Sequence, residues 1–315
     1  MKLTVFEWES VCGTDLDPSG LKAFGEVKFY GKPDPREVAD LVGDSEVVIC
    51  SKVAFTREVI AACPRLSYIG VMATGYNNID LVAAKERGIT VTNVPDYSSD
   101  AVSQMTLAFI LQFATNLIRY DASTRRGDWT RSALFCYYPY ALTELKGKTL
   151  GLFGLGSIGK KVAKVADALG MRVIYHARTK KDLPYEFCDK ETVFRESDYL
   201  SLHMPADAET GGIVNRETLG LMKKGAYLIN TARGALVVEE DVAEALKAGR
   251  LGGYAADVLS VEPQLPDCPL LGLENCILTP HIAWAPNETR ERLWDILLGN
   301  LDAWCKGAPQ NVVNP

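Results

Sequence analysis

Short apolar runs rich in β-branched residues recur along the chain, at 3–6, 47–50, 68–71, 90–93, 149–153, 172–175, 199–202, 227–230, 251–255 and 276–278. Each is short enough for one strand and continuous enough to be covered on both faces. The intervals often carry apolar residues at helical spacing, as at 34–42, 81–87, 158–169 and 238–248. Strands alternating with helices predict an α/β protein of doubly wound parallel sheets.

Two segments mark where domains meet. Residues 98 to about 120 read as one long helix after the turn-forming 95–100, and 287–304 read as a second. Residues 101–285 are therefore expected to form one α/β domain, inserted into another built from 1–100 plus 286–315. The basic, aromatic stretch 125–140 fits neither helix nor strand, and 309–315 reads as an extended strap.

The composition narrows the function. The chain has 315 residues, 47% of them hydrophobic, enough for two cores. Its net charge of −6 disfavours nucleic acid or an anionic membrane as partner, but suits a small anionic substrate held by local cations. The apolar stretch 105–118 is interrupted by Thr106, Gln112, Thr115 and Asn116, so it reads as a buried helix rather than a span. The N-terminal residues lack an uninterrupted apolar run and carry Glu7 and Glu9, so no secretory signal is expected. Eight cysteines without a CxxC pair fit reduced thiols in the cytoplasm. Three dispersed histidines and no cysteine cluster suggest no metal site.

The 149–153 strand runs into Gly154-Leu155-Gly156-Ser157-Ile158-Gly159 and then an amphipathic helix. In this strand–turn–helix setting the three glycines are expected to allow the turn, the approach of a pyrophosphate and the packing of helix on strand. The first-turn amides, at Ser157 and Ile158, would face the phosphates. At the end of the next strand, Ala177 stands where an acid would bind an adenosine 2′-hydroxyl. Arg178, Thr179 and Lys180 follow and suit a 2′-phosphate. The expectation is therefore NAD(P), with NADP favoured over NAD; the alternative is Arg178 stacking on adenine with NAD as coenzyme.

Three further polar segments follow strands: Arg233 in 230–234, Glu262 in 256–263 and His281 in 279–284. Beyond the carboxyl ends of parallel strands, these types can converge on one substrate. Reduction of a ketone by hydride needs a proton donor, for which imidazole is suited. A carboxylate beside it orients the ring, and a guanidinium can bridge a carboxylate and the reacting carbonyl.

With Gly154–Gly159, Asn230-Thr-Ala-Arg-Gly234, Asp257-Val-Leu-Ser-Val-Glu-Pro263 and Thr279-Pro-His281 on the page, the chain resembles the D-isomer-specific 2-hydroxyacid dehydrogenases over essentially its whole length. The resemblance implies two Rossmann-like domains separated by a cleft, 1–100 plus 286–315 taking substrate and 101–285 the dinucleotide. It implies Arg233 as substrate clamp, His281 as acid/base and Glu262 as its partner. It also implies Asp257 and Thr231 near the nicotinamide, and His203, Pro205 and Thr210 on the adenosine side.

Several stretches look most like the glycerate dehydrogenase (hydroxypyruvate reductase) branch, among them 51–53, 73–80, 93–97, 135–137 and 281–284. That likeness makes Lys52 and the amides of Ala73, Thr74 and Gly75 candidate substrate contacts, with Trp284 and Tyr76 closing the pocket. Hydroxypyruvate or glyoxylate is the expected substrate; phosphoglycerate, a bulkier 2-hydroxy acid, or a dinucleotide-sensing regulatory role on the same fold are the alternatives. The helix opening at 98 is apolar on more than one face, and the resemblance implies a homodimer through 98–145.

Overall fold

The computed structural model describes residues 1–13 and 15–315. The chain divides into two compact units, Met1–Ser98 with Trp284–Pro315, and Ser99–Ala283.

The first unit holds β1 (Lys2–Phe6), β2 (Glu26–Tyr30), β3 (Val47–Cys50), β4 (Tyr68–Val71) and β5 (Thr90–Thr92). They form a parallel sheet in the order β2-β1-β3-β4-β5. Side chains alternate between its faces, as the period of two requires. Phe6, Val48, Cys50, Ile69 and Val71 pack with α2 (Val38–Val42), α3 (Arg57–Ala62) and α4 (Leu81–Glu86). Leu3, Val5, Val47 and Ile49 pack instead with α1 (Trp8–Cys12) and the C-terminal helix Asn287–Cys305, through Leu293, Trp294, Leu297 and Leu301. The C-terminal strap lies along β5, where Val313 N–H donates to Val91 O at 2.9 Å.

The second unit is one seven-stranded parallel sheet. It comprises β6 (Thr149–Phe153), β7 (Arg172–His176), β8 (Glu186–Phe187), β9 (Tyr199–Leu202), β10 (Ala226–Asn230), β11 (Leu251–Ala256) and β12 (Cys276–Leu278). The order is β12-β11-β10-β9-β6-β7-β8. One face is covered by α5 (Ser99–Thr115) and α7 (Ser157–Ala168), the other by α8 (Lys190–Glu196), α9 (Arg216–Leu221) and α10 (Glu239–Lys247). Strand order reverses direction between β6 and β9, the place where such sheets open a ligand crevice.

Two expectations change. The edge strands β2 and β8 carry no continuous apolar run, because their exposed positions are not covered. The helix expected from 98 to 120 is broken: α5 ends at Thr115 and α6 spans Leu117–Arg125, bent by 58°. Asn116 sits between them at φ 50, a left-handed conformation that Asn tolerates, and its side-chain amide donates to Ala141 O at 2.7 Å. Among the described residues no single helix is long and apolar enough to cross a membrane.

Candidate active site

The glycine turn lies at the strand-order reversal. Gly154, at φ 96, donates its N–H to His176 O at 2.8 Å. A Cβ there would come within 2.3 Å of His203 O, and one on Gly159 within 2.4 Å of Gly154 O. These two glycines are demanded by the chain's own packing. Gly156 is different: a Cβ on it would meet nothing within 4 Å. It is the N-cap of α7, and no side chain caps the first-turn amides, which begin at Ser157 and Ile158. An uncapped helix N-terminus beside an open glycine fits a dinucleotide pyrophosphate.

Two loops flank this turn. After β7, the exposed Arg178 pairs through Nη2 with Asp207 Oδ2 at 2.5 Å. Thr179 Oγ1 accepts from Lys181 Nζ at 3.2 Å. After β9, Asp207 Oδ1 takes the N–H groups of Glu209 at 3.0 Å and Thr210 at 3.1 Å, and Thr210 Oγ1 donates to Pro205 O at 2.8 Å. The Glu209 amide, followed by the Thr210 hydroxyl, holds the Asp207 carboxyl below the usual carboxylate range. His203 anchors the other end, its N–H donating to Phe153 O at 2.7 Å and its Nε2 lying 2.9 Å from Ser201 Oγ. Burial pushes its imidazole down to about 4, and Nδ1 has no hydrogen-bond partner among the described residues.

Beyond β10, Asn230 closes the turn that carries Arg233, its amide donating to Arg233 O at 2.9 Å and its oxygen accepting Ala232 N–H at 3.0 Å. The Arg233 guanidinium is exposed and donates to Ala232 O at 2.6 Å. The neighbouring Gly234 touches the Glu262 loop so closely that a Cβ would fall 1.9 Å from Leu259 C. Thr231 Oγ1 meets Thr106 Oγ1 of α5 at 2.9 Å, both buried.

Beyond β11 and β12 lie the acid and the histidine. Glu262 Oε2 is 2.7 Å from His281 Nδ1, and its Oε1 accepts the N–H of Leu259 at 3.0 Å. With Nδ1 engaged, Nε2 is the nitrogen left for a substrate, and both side chains remain partly exposed, at 30% and 36%. His281 sits at φ 55, its N–H held by Asp257 O at 2.9 Å and Thr279 O at 3.0 Å. The buried Asp257 carboxylate accepts from Thr279 Oγ1, Ile282 N and Ala283 N at 2.6, 2.9 and 2.8 Å. It therefore supports the loop carrying His281.

In the first unit, Lys52 lies past β3 and is exposed between buried Ser51 and Val53. Past the adjacent β4, Ala73 O accepts from Val94 N at 3.0 Å, and Thr74 O accepts from Asn93 Nδ2 at 2.7 Å. Both carbonyls are thus bonded within the chain. Trp284 packs edge-on against Tyr97, the ring centroids 6.4 Å apart.

Sequence reasoning missed the supports: Asp207 on Arg178, and buried Glu239, whose Oε1 accepts Ser260 N at 2.6 Å inside the Glu262 loop. Each is a single acid in a polar loop, and no local pattern separates it from a solvated one.

A family model described as the NAD binding domain of D-isomer specific 2-hydroxyacid dehydrogenases matches residues 107–283. A hydroxypyruvate reductase of Blautia hydrogenotrophica is 41% identical over the whole of both chains. A glycerate dehydrogenase of Methylorubrum extorquens is 38% identical over 89% of this chain and 88% of its own. An NADPH-dependent glyoxylate/hydroxypyruvate reductase of Sinorhizobium meliloti, solved with NADP and malonate, superposes with a TM-score of 0.84 at 29% identity, covering 99% of this chain and 96% of that one. The chain belongs to the D-isomer-specific 2-hydroxyacid dehydrogenase family.

Proposed function

We propose that the protein reduces a small 2-keto acid, hydroxypyruvate or glyoxylate, to the D-2-hydroxy acid. The observation that carries this reading is the His281–Glu262 pair at 2.7 Å, set beyond a strand of the same sheet that bears the open glycine turn. When bound, a reduced nicotinamide dinucleotide supplies the hydride. His281, protonated on Nε2, donates to the oxygen as the carbonyl becomes an alcohol, and Glu262 stabilises and orients the imidazolium. Arg233 holds the substrate carboxylate and polarises the carbonyl. Lys52 and the amides of Ala73, Thr74 and Gly75 take further charge of the carboxylate, and Trp284 lines the substrate side. Gly154, Gly156, Ser157, Ile158 and Gly159 cradle the pyrophosphate, with Thr231 and Asp257 toward the nicotinamide and His203, Pro205 and Thr210 toward the adenosine.

NADP is the favoured coenzyme in this reading, because Ala177 leaves no acid at the end of β7, and Thr179 and Arg178, the latter paired with Asp207, are exposed for a 2′-phosphate. The active form is a homodimer through 98–145. That segment exposes Leu117, Ile118, Leu134, Phe135 and Tyr138, with Phe135 at 91%, more apolar surface than a monomer ordinarily leaves in one stretch. The eight free thiols suit the reducing cytoplasm.

Following NADH and NADPH absorbance with hydroxypyruvate, glyoxylate, 3-phosphohydroxypyruvate and branched 2-keto acids tests the assignment. Preferred turnover of the first two supports it. Turnover of none removes the enzymatic reading in favour of a dinucleotide sensor, and light scattering giving a monomer at micromolar concentration removes the dimer.

A further inference from the structure

The sheet of the first unit also has a point of reversed strand order, between β1 and β3. Such a point opens a crevice for a ligand beyond the strand ends. Here the chain fills it with its own anion. Glu7, one residue past β1, sits at φ 61, an uncommon conformation for a residue with a Cβ. Its side chain is buried, and one oxygen, Oε2, accepts the N–H groups of Ser51 at 3.2 Å, Lys52 at 2.6 Å and Val53 at 3.1 Å. Three successive amides around one carboxylate oxygen make an occupied anion nest.

The same turn is gripped from its other side. Asn78 Nδ2 donates to Ser51 O at 3.3 Å and Val53 O at 2.7 Å, and Asn78 O accepts Phe55 N–H at 2.9 Å. Asn78 ends the loop that begins at Ala73, so the two expected substrate loops are stitched together. A buried carboxylate is expensive unless charge-assisted hydrogen bonds offset its lost hydration, and packing alone would be served by an apolar side chain. With the three amides consumed, the turn has one cationic group left for an outside anion, the exposed ammonium of Lys52, which makes no ion pair among the described residues.

We propose that Glu7, with Asn78, is a positioning residue for substrate binding: it fixes the Ser51–Lys52–Val53 turn so that Lys52 presents its ammonium to the substrate carboxylate. This rests on the reading of Lys52 as a substrate contact given above. Fixing the turn beforehand removes its ordering from the binding step, so loss of Glu7 raises KM for the keto acid and leaves the coenzyme alone.

The test pairs steady-state kinetics on hydroxypyruvate with amide hydrogen exchange across 51–53, for Glu7→Gln, Glu7→Ala, Asn78→Ala, Lys52→Met and the Glu7→Gln/Lys52→Met double variant. Glu7→Gln keeps the shape and guards against misfolding, which thermal unfolding monitors. Loss of the charge-assisted contacts is expected to speed exchange at 51–53 and raise KM for hydroxypyruvate roughly tenfold, with coenzyme KM unchanged. The double variant should be no worse than Lys52→Met. Additive effects, a parallel rise in coenzyme KM, or unaltered exchange overturn the proposal. If Lys52→Met alone leaves KM unchanged, the substrate reading of Lys52 fails. If Lys52→Met raises KM while Glu7→Gln moves neither readout, the clamp fails and that reading stands.

Discussion

Glu262 Oε2 lies 2.7 Å from His281 Nδ1, while Oε1 of the same carboxylate accepts Leu259 N–H at 3.0 Å. One oxygen is fixed by the backbone and the other lies on the imidazole, so the acid orients the ring. Glu262→Gln keeps the shape and loses the charge. It is expected to lower kcat for keto-acid reduction about 10- to 100-fold with the coenzyme Kd unchanged. A kcat within twofold of the parent would remove Glu262 from the mechanism.

The glycines of the turn separate by what their missing Cβ would meet. Gly154→Ala puts a Cβ 2.3 Å from a carbonyl oxygen at φ 96, and should destabilise the protein by about 2 kcal/mol or more. Gly156→Ala places its Cβ where nothing lies within 4 Å and should cost less stability than Gly154→Ala. It should instead weaken coenzyme binding at least tenfold by titration calorimetry, since the side chain would occupy the pyrophosphate's place.

Coenzyme choice is expected to turn on Asp207. Its carboxylate occupies the guanidinium of Arg178, the group a 2′-phosphate would otherwise engage. Asp207→Asn should raise binding of 2′,5′-ADP relative to 5′-AMP about tenfold, and Arg178→Ala should lower it. Equal ratios in both variants would dissociate this pair from coenzyme selection.

His203 gives a pH signature to stability. Burial holds its imidazole at about 4, below the unfolded value of 6.5, so the unfolded chain binds the extra proton first as pH falls. Its contribution is complete above about pH 6.5 and is lost progressively toward pH 4, up to about 3 kcal/mol. Urea unfolding of the coenzyme-free protein at pH 7 and pH 5 should show this slope, and His203→Gln should flatten it. Identical slopes in both proteins would contradict the assignment.

The interior strands were legible because strands covered on both faces are written as continuous apolar runs, as at 47–50 and 68–71. The edge strands β2 and β8 were not, since exposed positions occur on both rows of their side chains. The break at Asn116 escaped notice because apolar periodicity runs on through it, and one amide side chain decides the bend. At the site, groups that follow strands could be read from order alone. Their supports could not: Glu7 reaches amides 44 to 46 residues away, and that distance closes only once β1 and β3 are neighbours.

The backbone of His281 carries its own practical consequence. At φ 55 a residue with a Cβ is strained, and asparagine is among the few side chains that accept that conformation readily. His281→Asn therefore removes the proposed proton donor with less disturbance of the loop than His281→Ala. It is the substitution of choice for an inert protein that still captures coenzyme and keto acid together, and so for trapping the ternary complex that the living enzyme would consume.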